Sequence, residues 1–384
     1  MTSRERLLCA LGGNMPDHVP VMPDLSNMIP AKLTGKPFWD IYLYQDPPLW
    51  RAYIDCVKYF GFDSLYDTFI PIDIGDPEPQ KPKADIPETK TAIVFKSEKR
   101  LVTQNFTYAN GKQNWAEKIN VYYSNNPPNW GVDPHAVRLP KEPDKFELLD
   151  AENIKRWPSG EQLLKLLKSE LGDHGLVGAY CGTSSLIGGE RDLYDYMDDP
   201  KKYHDRRDWL LDHYEKVFMK ILSFSCKPDF IAVGASGTLI NQTPQMFAEL
   251  GLPIVKKMTA LAKKHGFPSH IHSCGREAEL VKICAEETDL TVIDPLEVPP
   301  MGDCDLKELK RLYGDRLVLK GNLHTTKVML HGSAGEVADA SKKAIDDAAA
   351  GGRFILSTGD QCGRDTPFEN IAAMIETAKT YGRY

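Results

Sequence analysis

The chain has 384 residues, 42% hydrophobic and 26% charged, which is the balance of an ordinary folded protein and not of a disordered, collagen-like or coiled-coil sequence. Its formal net charge of −7 argues against the clustered basic face needed to bind nucleic acid or an anionic membrane surface. The length allows either two ordinary domains or one large barrel, and no run of roughly 18 apolar residues offers a membrane span.

Thr2 followed by Glu5 has capping-box spacing, so a short helix is predicted to open the chain and end near Gly12-Gly13. Its apolar stretch is too short for a signal peptide. Eight cysteines, dispersed at 9, 56, 181, 226, 274, 284, 304 and 362, lack the density of a secreted disulfide scaffold, and a reducing cytoplasm is expected. Val19 to Met22 reads as a first strand. Seven more short β-rich segments follow: Phe62 to Tyr66, Leu176 to Tyr180, Phe230 to Val233, Phe267 to Ile271, Leu290 to Ile293, Leu317 to Leu319 and Phe354 to Leu356. Most intervals carry helical one-face spacing, such as Ile254, Met258 and Leu261 before Gly266, or Val337, Ala340, Ala344 and Ala348 before Gly351-Gly352.

Alternating β and α segments argue for a parallel sheet with crossover helices, and a count of eight favours a closed (β/α)8 TIM-type barrel built as a single domain over 1–384. An open doubly wound sheet competes, but no Gly-x-Gly-x-x-Gly follows a strand. Residues 81–150 break the alternation with several prolines and with Thr91 to Phe95 and Lys118 to Tyr123 as hairpin strands. They are expected to form a β-hairpin insertion after the second strand, on the barrel side where loops carry function, and so to roof the mouth.

Chemistry concentrates at two strand ends: His270-Ile-His272-Ser-Cys274-Gly275 at the fifth and Asp360-Gln-Cys362-Gly363 at the eighth. His272 and Cys274 are two apart and project to one side, so imidazole and thiolate reach a common metal, with Cys362 converging across the mouth. A His, Cys, Cys set suits Zn²⁺ and leaves a fourth position exchangeable. The plainer alternative makes all of these buried strand-end residues and a loop thiol. His270 alternates with His272 and could exchange roles with it, although a core or hydrogen-bonding role fits it better.

Thr2-Ser-Arg-Glu-Arg-Leu-Leu-Cys-Ala-Leu11, Pro16-Asp-His-Val-Pro-Val21, the His-x-Cys-Gly element, Gly321-Asn322 and Ile355-Leu-Ser-Thr-Gly-Asp-Gln-Cys-Gly-Arg-Asp-Thr-Pro-Phe-Glu-Asn370 together resemble the uroporphyrinogen decarboxylase superfamily over nearly the whole chain. Within it, His272-x-Cys274 with the distant Cys362 resembles the zinc motif of the corrinoid-dependent methyltransferases, including the methylcobamide:coenzyme M enzymes. The resemblance implies a (β/α)8 barrel with zinc at its mouth and a corrinoid carried by a separate binding protein. The decarboxylases carry an arginine-rich segment after their first strand. This chain has Pro20-Val-Met-Pro-Asp24-Leu-Ser26 there and no arginine until Arg51, which disfavours porphyrinogen decarboxylation.

The resemblance makes the expected activity a zinc-dependent transfer of methyl between a small methylated substrate, such as an aryl methyl ether, and the cobalt of the partner's corrinoid. The reverse traffic, from methyl-corrinoid to a coenzyme M-like thiol or a folate, is an alternative. A metal-free decarboxylase using Arg276 and Arg364 is another, and a zinc that only staples strand ends is a third. The insertion's Trp115, Tyr122, Tyr123 and Trp130 either line a substrate pocket or simply pack. Glu297 and Asp294 are candidates for the fourth zinc position. His324, Asn322, Tyr66, Asp67, Asp24, Ser26, Ser236, Cys181 and Thr183 sit at other predicted strand ends as candidate catalytic or substrate-binding residues, each with a cap or loop role as its alternative. A homo-oligomer is compatible with the sequence.

Overall fold

Capping chemistry starts the chain as expected. In the computed structural model, which describes residues 1–74, 88–109, 111–234 and 236–384, the Thr2 side chain accepts from the Glu5 amide and the Glu5 carboxylate accepts from the Thr2 amide, opening a helix over Ser3–Leu11. The strands in chain order are β1 Ser64–Thr68, β2 Lys90–Lys96, β3 Arg100–Ala109, β4 Lys112–Tyr123, β5 Asn129–Val132, β6 Glu147–Leu148, β7 Gly175–Tyr180, β8 Phe230–Gly234, β9 Ser269–His272, β10 Val292–Asp294, β11 Val318–Leu323 and β12 Phe354–Thr358. Contacts divide the chain into two compact units, one of Met1–Leu25, Val57–Ile74 and Pro158–Tyr384, the other of Ser26–Cys56 and Gly75–Trp157.

In the first unit β1, β7, β8, β9, β10, β11 and β12 pair in that order, all parallel. The two edges are joined by the extended segment predicted as the first strand. Leu356 N donates to Pro20 O at 2.9 Å, Met22 N to Leu356 O at 2.8 Å, and Asp63 N to Val21 O at 2.9 Å. This makes an eighth position and closes the ring. The segment makes only one isolated bridge because Pro20 and Pro23 have no amide to donate. Strands β8, β11 and β12 are buried along their whole length, as a sheet covered on the outside and filled on the inside requires. Helices such as Leu252–Lys264 and Ala334–Ala348 supply the cover, the latter opened by a second capping box from Ser333 and Glu336.

The second unit is a five-stranded antiparallel sheet, ordered β5-β4-β3-β2-β6, lying in sequence between β1 and β7. The hairpin insertion is therefore present, and residues 81–87 and 110 of its expected range lie outside the described residues. Leu101 and Tyr122 pair across β3 and β4, as do Val102 and Val121. Successive side chains point to opposite faces. Leu101 and Tyr122 join Leu43 in one apolar cluster, while Val102, Ile119 and Val121 form another. Residues Ser26–Cys56, with helices at Met28–Leu33 and Phe38–Tyr42, belong to this unit. Trp115 packs on Phe106 and Phe146, and Tyr122 meets Trp130 edge-on at 5.2 Å.

All eight cysteines are free, and among the described residues no helix is long and apolar enough to cross a membrane.

Ion pairs anchor the N-terminal helix to the barrel. Arg6 reaches Asp17 at 2.8 Å and Asp63 at 2.6 Å, and Asp63 also accepts from Val21 N. Arg4 and Lys168 converge on buried Asp229 at 2.6 and 2.7 Å, and its other oxygen accepts from Val177 N. Burial works to raise the Asp229 pKa, but the bonds from Arg4, then Lys168, outweigh it and hold the carboxyl below its ordinary value. A depressed folded-state pKa contributes stability that is present above the unfolded value, about 3.9, and is lost as pH falls through the folded value. The urea midpoint is therefore expected to fall steeply below about pH 4. Asp229→Asn should lower stability at pH 7 and flatten that acid limb. A variant with an acid limb parallel to the wild type would contradict the assignment.

Candidate functional site

Register places the site. His270 pairs with Val292 and His272 with Asp294 across β9 and β10, while Val292 and Ile293 pair with Val318 and Leu319 of β11. Continuing that register by one residue brings Asp294 level with Lys320. Three adjacent strands thus present imidazole, carboxylate and ammonium in one layer.

Asp294 is the centre of that layer. It is buried, with Oδ1 2.7 Å from His270 Nε2 and 3.5 Å from His272 Nδ1, and Oδ2 bonded to the Lys320 ammonium. Burial alone would raise its pKa, but Lys320, followed by His270 and His272, overcomes it and holds the carboxyl well below the usual range. The same contacts act in reverse on the cations. Burial opposes protonation of His272, and Asp294 overcomes it, raising His272 well above its ordinary value. His270 Nδ1 lies 3.2 Å from Asp67 Oδ2, and the Tyr180 hydroxyl donates to the same oxygen at 3.4 Å. A chain of basic and acidic groups therefore runs from buried Lys320 through Asp294 and His270 to half-buried Asp67.

The expected metal donors adjoin this chain through His272, which contacts Asp294. The Cys274 thiol adjoins the His272 ring, whose Nε2 is 3.6 Å from Asp360 Oδ1. Cys362 is buried beside the Thr358 and Thr366 hydroxyls, and burial pushes its thiol up to about 12. Its amide donates to the Asp24 carbonyl at 2.8 Å. Asp24 also acts electrostatically on both His272 and Cys362, so the two strand ends share one neighbourhood. Among the described residues, no three or more His, Cys, Asp or Glu side chains are arranged to hold a metal ion.

Other candidates are engaged elsewhere. The Glu297 carboxylate accepts from Gly275 N and so braces the backbone beside Cys274. Asn322 donates to Leu296 O at 3.0 Å, knitting two strand ends together. His324 Nδ1 accepts from the Thr326 and Lys327 amides, which makes it a helix cap. The buried Cys181 sulfur donates to Tyr214 O at 3.3 Å, and Thr183 donates to Ser185 O at 3.0 Å. Ser236 is exposed and Tyr66 half-buried. Ser26, which accepts from Met28 N, falls in the second unit.

Two residues escaped sequence reasoning. Lys320 interrupts the run Val318-Leu-Lys-Gly-Asn-Leu323. A charge in a strand buried on both faces is a signal, because such a group needs a partner. Glu277 gave no signal, since an acid just before a helix is ordinary. It is fully buried with one oxygen accepting from Leu296 N at 2.8 Å and Oε1 without a partner, and burial raises its pKa well above the ordinary value.

Comparison with known proteins places this geometry in context. The family model described as uroporphyrinogen decarboxylase (URO-D) matches residues 127–381, more than half of the chain. Among solved structures, a methyltransferase from Methanosarcina mazei superposes with TM-score 0.62 at 16% identity, covering 99% of each chain. A B12-independent methionine synthase from a Shewanella species matches with TM-score 0.35 at 12% identity, over 59% of this chain and 67% of that one. No curated protein matches.

Proposed function

The chain belongs to the uroporphyrinogen decarboxylase family, and from that premise we propose that it is a zinc-dependent methyltransferase. It moves a methyl group between a small methylated substrate, such as an aryl methyl ether, and the cobalt of a corrinoid held by a separate protein. The observation that carries this reading is the His272–Cys274 pair at the end of β9, facing Asp360 and sharing Asp24 with buried Cys362. The solved methyltransferase that shares the fold over 99% of the chain supports it.

The residues fit zinc by donor chemistry, an imidazole and two sulfurs being a borderline-soft set. They fit by charge as well. The Asp294 and Asp360 carboxylates stand 3.5 and 3.6 Å from the two ring nitrogens of His272, so negative charge already surrounds the position a cation would take. His272, Cys274 and Cys362 would hold the ion. When bound, zinc supplies Lewis acidity, lowering the pKa of a thiol or drawing charge from a departing ether oxygen. Asp294 faces the Nδ1 side of His272 and leaves Nε2 for the ligand role, the usual service of a carboxylate behind a metal-binding histidine. Lys320 neutralises Asp294 so that the carboxylate stays in place instead of competing for the ion. Glu297 fixes the Gly275 backbone, and with it the direction of Cys274.

Transfer from methyl donor to Co(I) is the favoured direction, and delivery from methyl-Co(III) to a coenzyme M-like thiol or a folate uses the same residues. The lack of a ready three-ligand group among the described residues favours a second reading, a metal-free decarboxylase. That reaction needs cations free to hold substrate carboxylates. Arg276 is exposed, Arg364 is engaged by Asp365 at 2.7 Å, and Lys320 is taken by Asp294, so the methyltransferase is the better account.

The test is to mix the zinc-loaded protein with a Co(I) corrinoid protein and a panel of methoxylated aromatics, following the visible spectrum. Conversion to methyl-Co(III) with at least one donor is expected. No conversion by any donor, together with no demethylation of methyl-Co(III) by thiols or folates, would overturn the reading.

A further inference from the structure

We infer that the outer face of the helix Pro200–Ser223 is a self-complementary seam on which a second copy of this chain docks, the two helices running antiparallel about a two-fold axis level with residue 214. The catalytic reading makes no use of this face.

The helix has 24 residues, a length of about 36 Å. Its inner face buries Tyr203, Val217, Phe218 and Ile221, with the Phe218 ring against His265 and Phe267. On the outside, Asp205, Trp209, Asp212, Lys216, Met219 and Ser223 are all exposed. Steps along this stripe alternate between four and three residues, the spacing that keeps one line of side chains facing a second helix. One exposed apolar side chain on a helix is ordinary. Here two large ones, Trp209 at 60% and Met219 at 54% exposure, share a single stripe with charges of both signs.

The order of those side chains identifies the occupant. In an antiparallel two-fold pair, positions equally far before and after the axis meet each other. About residue 214, Asp212 meets the second copy's Lys216, Trp209 meets its Met219, and Asp208 at the edge of the stripe meets its Lys220. The symmetry repeats each pair. Apolar therefore covers apolar, in the sulfur-to-ring contact that methionine favours, and every charge meets its opposite. A parallel arrangement would set Asp212 on Asp212 and Lys216 on Lys216, so the charges select the antiparallel one. They are also available. Among the described residues Asp212, Lys216 and Lys220 enter no salt bridge, whereas Glu215, off the stripe, is held by Lys257 at 2.6 Å, and Asp208 is held only by its neighbour Arg207. A single helix pair buries less than a standard interface, so the dimer is weak and concentration-dependent.

Sedimentation velocity of the full chain is expected to show a reversible monomer–dimer equilibrium, with dimer present by about 300 μM. Asp212→Lys and Lys216→Asp each put like charges in both central pairs and should weaken association about tenfold or more, with circular dichroism unchanged because both positions are exposed. Mixing the two single variants restores opposite charges in both pairs, so a heterodimer within about threefold of wild-type strength is expected. The Asp212→Lys/Lys216→Asp double variant should dimerise in the same way. A wild type that stays monomeric, single variants that associate like the wild type, or a mixture that fails to pair would each overturn the seam.

Discussion

Cys274→Ala and Cys362→Ala are each expected to abolish stoichiometric zinc and all methyl transfer while leaving the barrel folded. Zinc held by three protein donors loses a large part of its binding free energy with any one of them, because a hydroxyl- or water-filled vacancy does not replace a thiolate. The fold should survive, because the cooperative core lies in the strands and their helical cover, and both cysteines sit just beyond strand ends, after β9 and β12. The substitutions differ in one respect. Cys362 is buried, so its removal leaves a small cavity costing about 1–2 kcal/mol, whereas the half-buried Cys274 should cost less. Elemental analysis with circular dichroism checks both. Full zinc in either variant would remove that residue from the ligand set.

The second large effect is on stability. Lys320→Met should destabilise the protein by about 3–5 kcal/mol, because it leaves the Asp294 carboxylate buried without the ammonium that contributes most to keeping it ionised. Burial by itself would drive Lys320 to lose its proton, and Asp294 overcomes it, so the dependence is mutual. Lys320→Met combined with Asp294→Asn should recover much of the loss, since a neutral pair carries no uncompensated charge. Urea unfolding of the two single variants and the double variant measures the coupling. A single-variant cost below about 1 kcal/mol would mean that the pair is not sealed from water.

The sequence displayed the barrel because its physics is local. The barrel strands are short apolar runs, and helices such as Leu252–Lys264 and Ala334–Ala348 repeat an apolar face shortly before a glycine, so eight strand positions are countable before any pairing is known. The first of them, Val19 to Met22, is recognisable by its apolar character, although Pro20 and the following Pro23 reduce it to a bridging segment. The hairpins of the insertion were legible for the same reason. The grouping of Ser26–Cys56 with the inserted sheet was not, because it depends on contacts such as Leu43 with Leu101 and Tyr122 between segments far apart in sequence.

At the site, the strand-end histidines and cysteines were legible as residue types suited to one metal. Their partners were not. His324 looked like an acid/base group and is a cap, since nothing in a lone histidine shows that its ring nitrogen will meet two helix amides. Asp294 and Glu297 looked like ligands, and their carboxylates are spent on Lys320, His270 and the Gly275 amide. Lys320 and Glu277 are visible only once register and burial are known.

The central claim is that this barrel mouth binds zinc for group transfer, and the most direct measurement is the metal content of protein purified without chelators. About one zinc per chain, as expected of a three-donor catalytic site, is the predicted result. No zinc as isolated, and none after reconstitution, would contradict the account and leave the metal-free decarboxylase as the better reading of this fold.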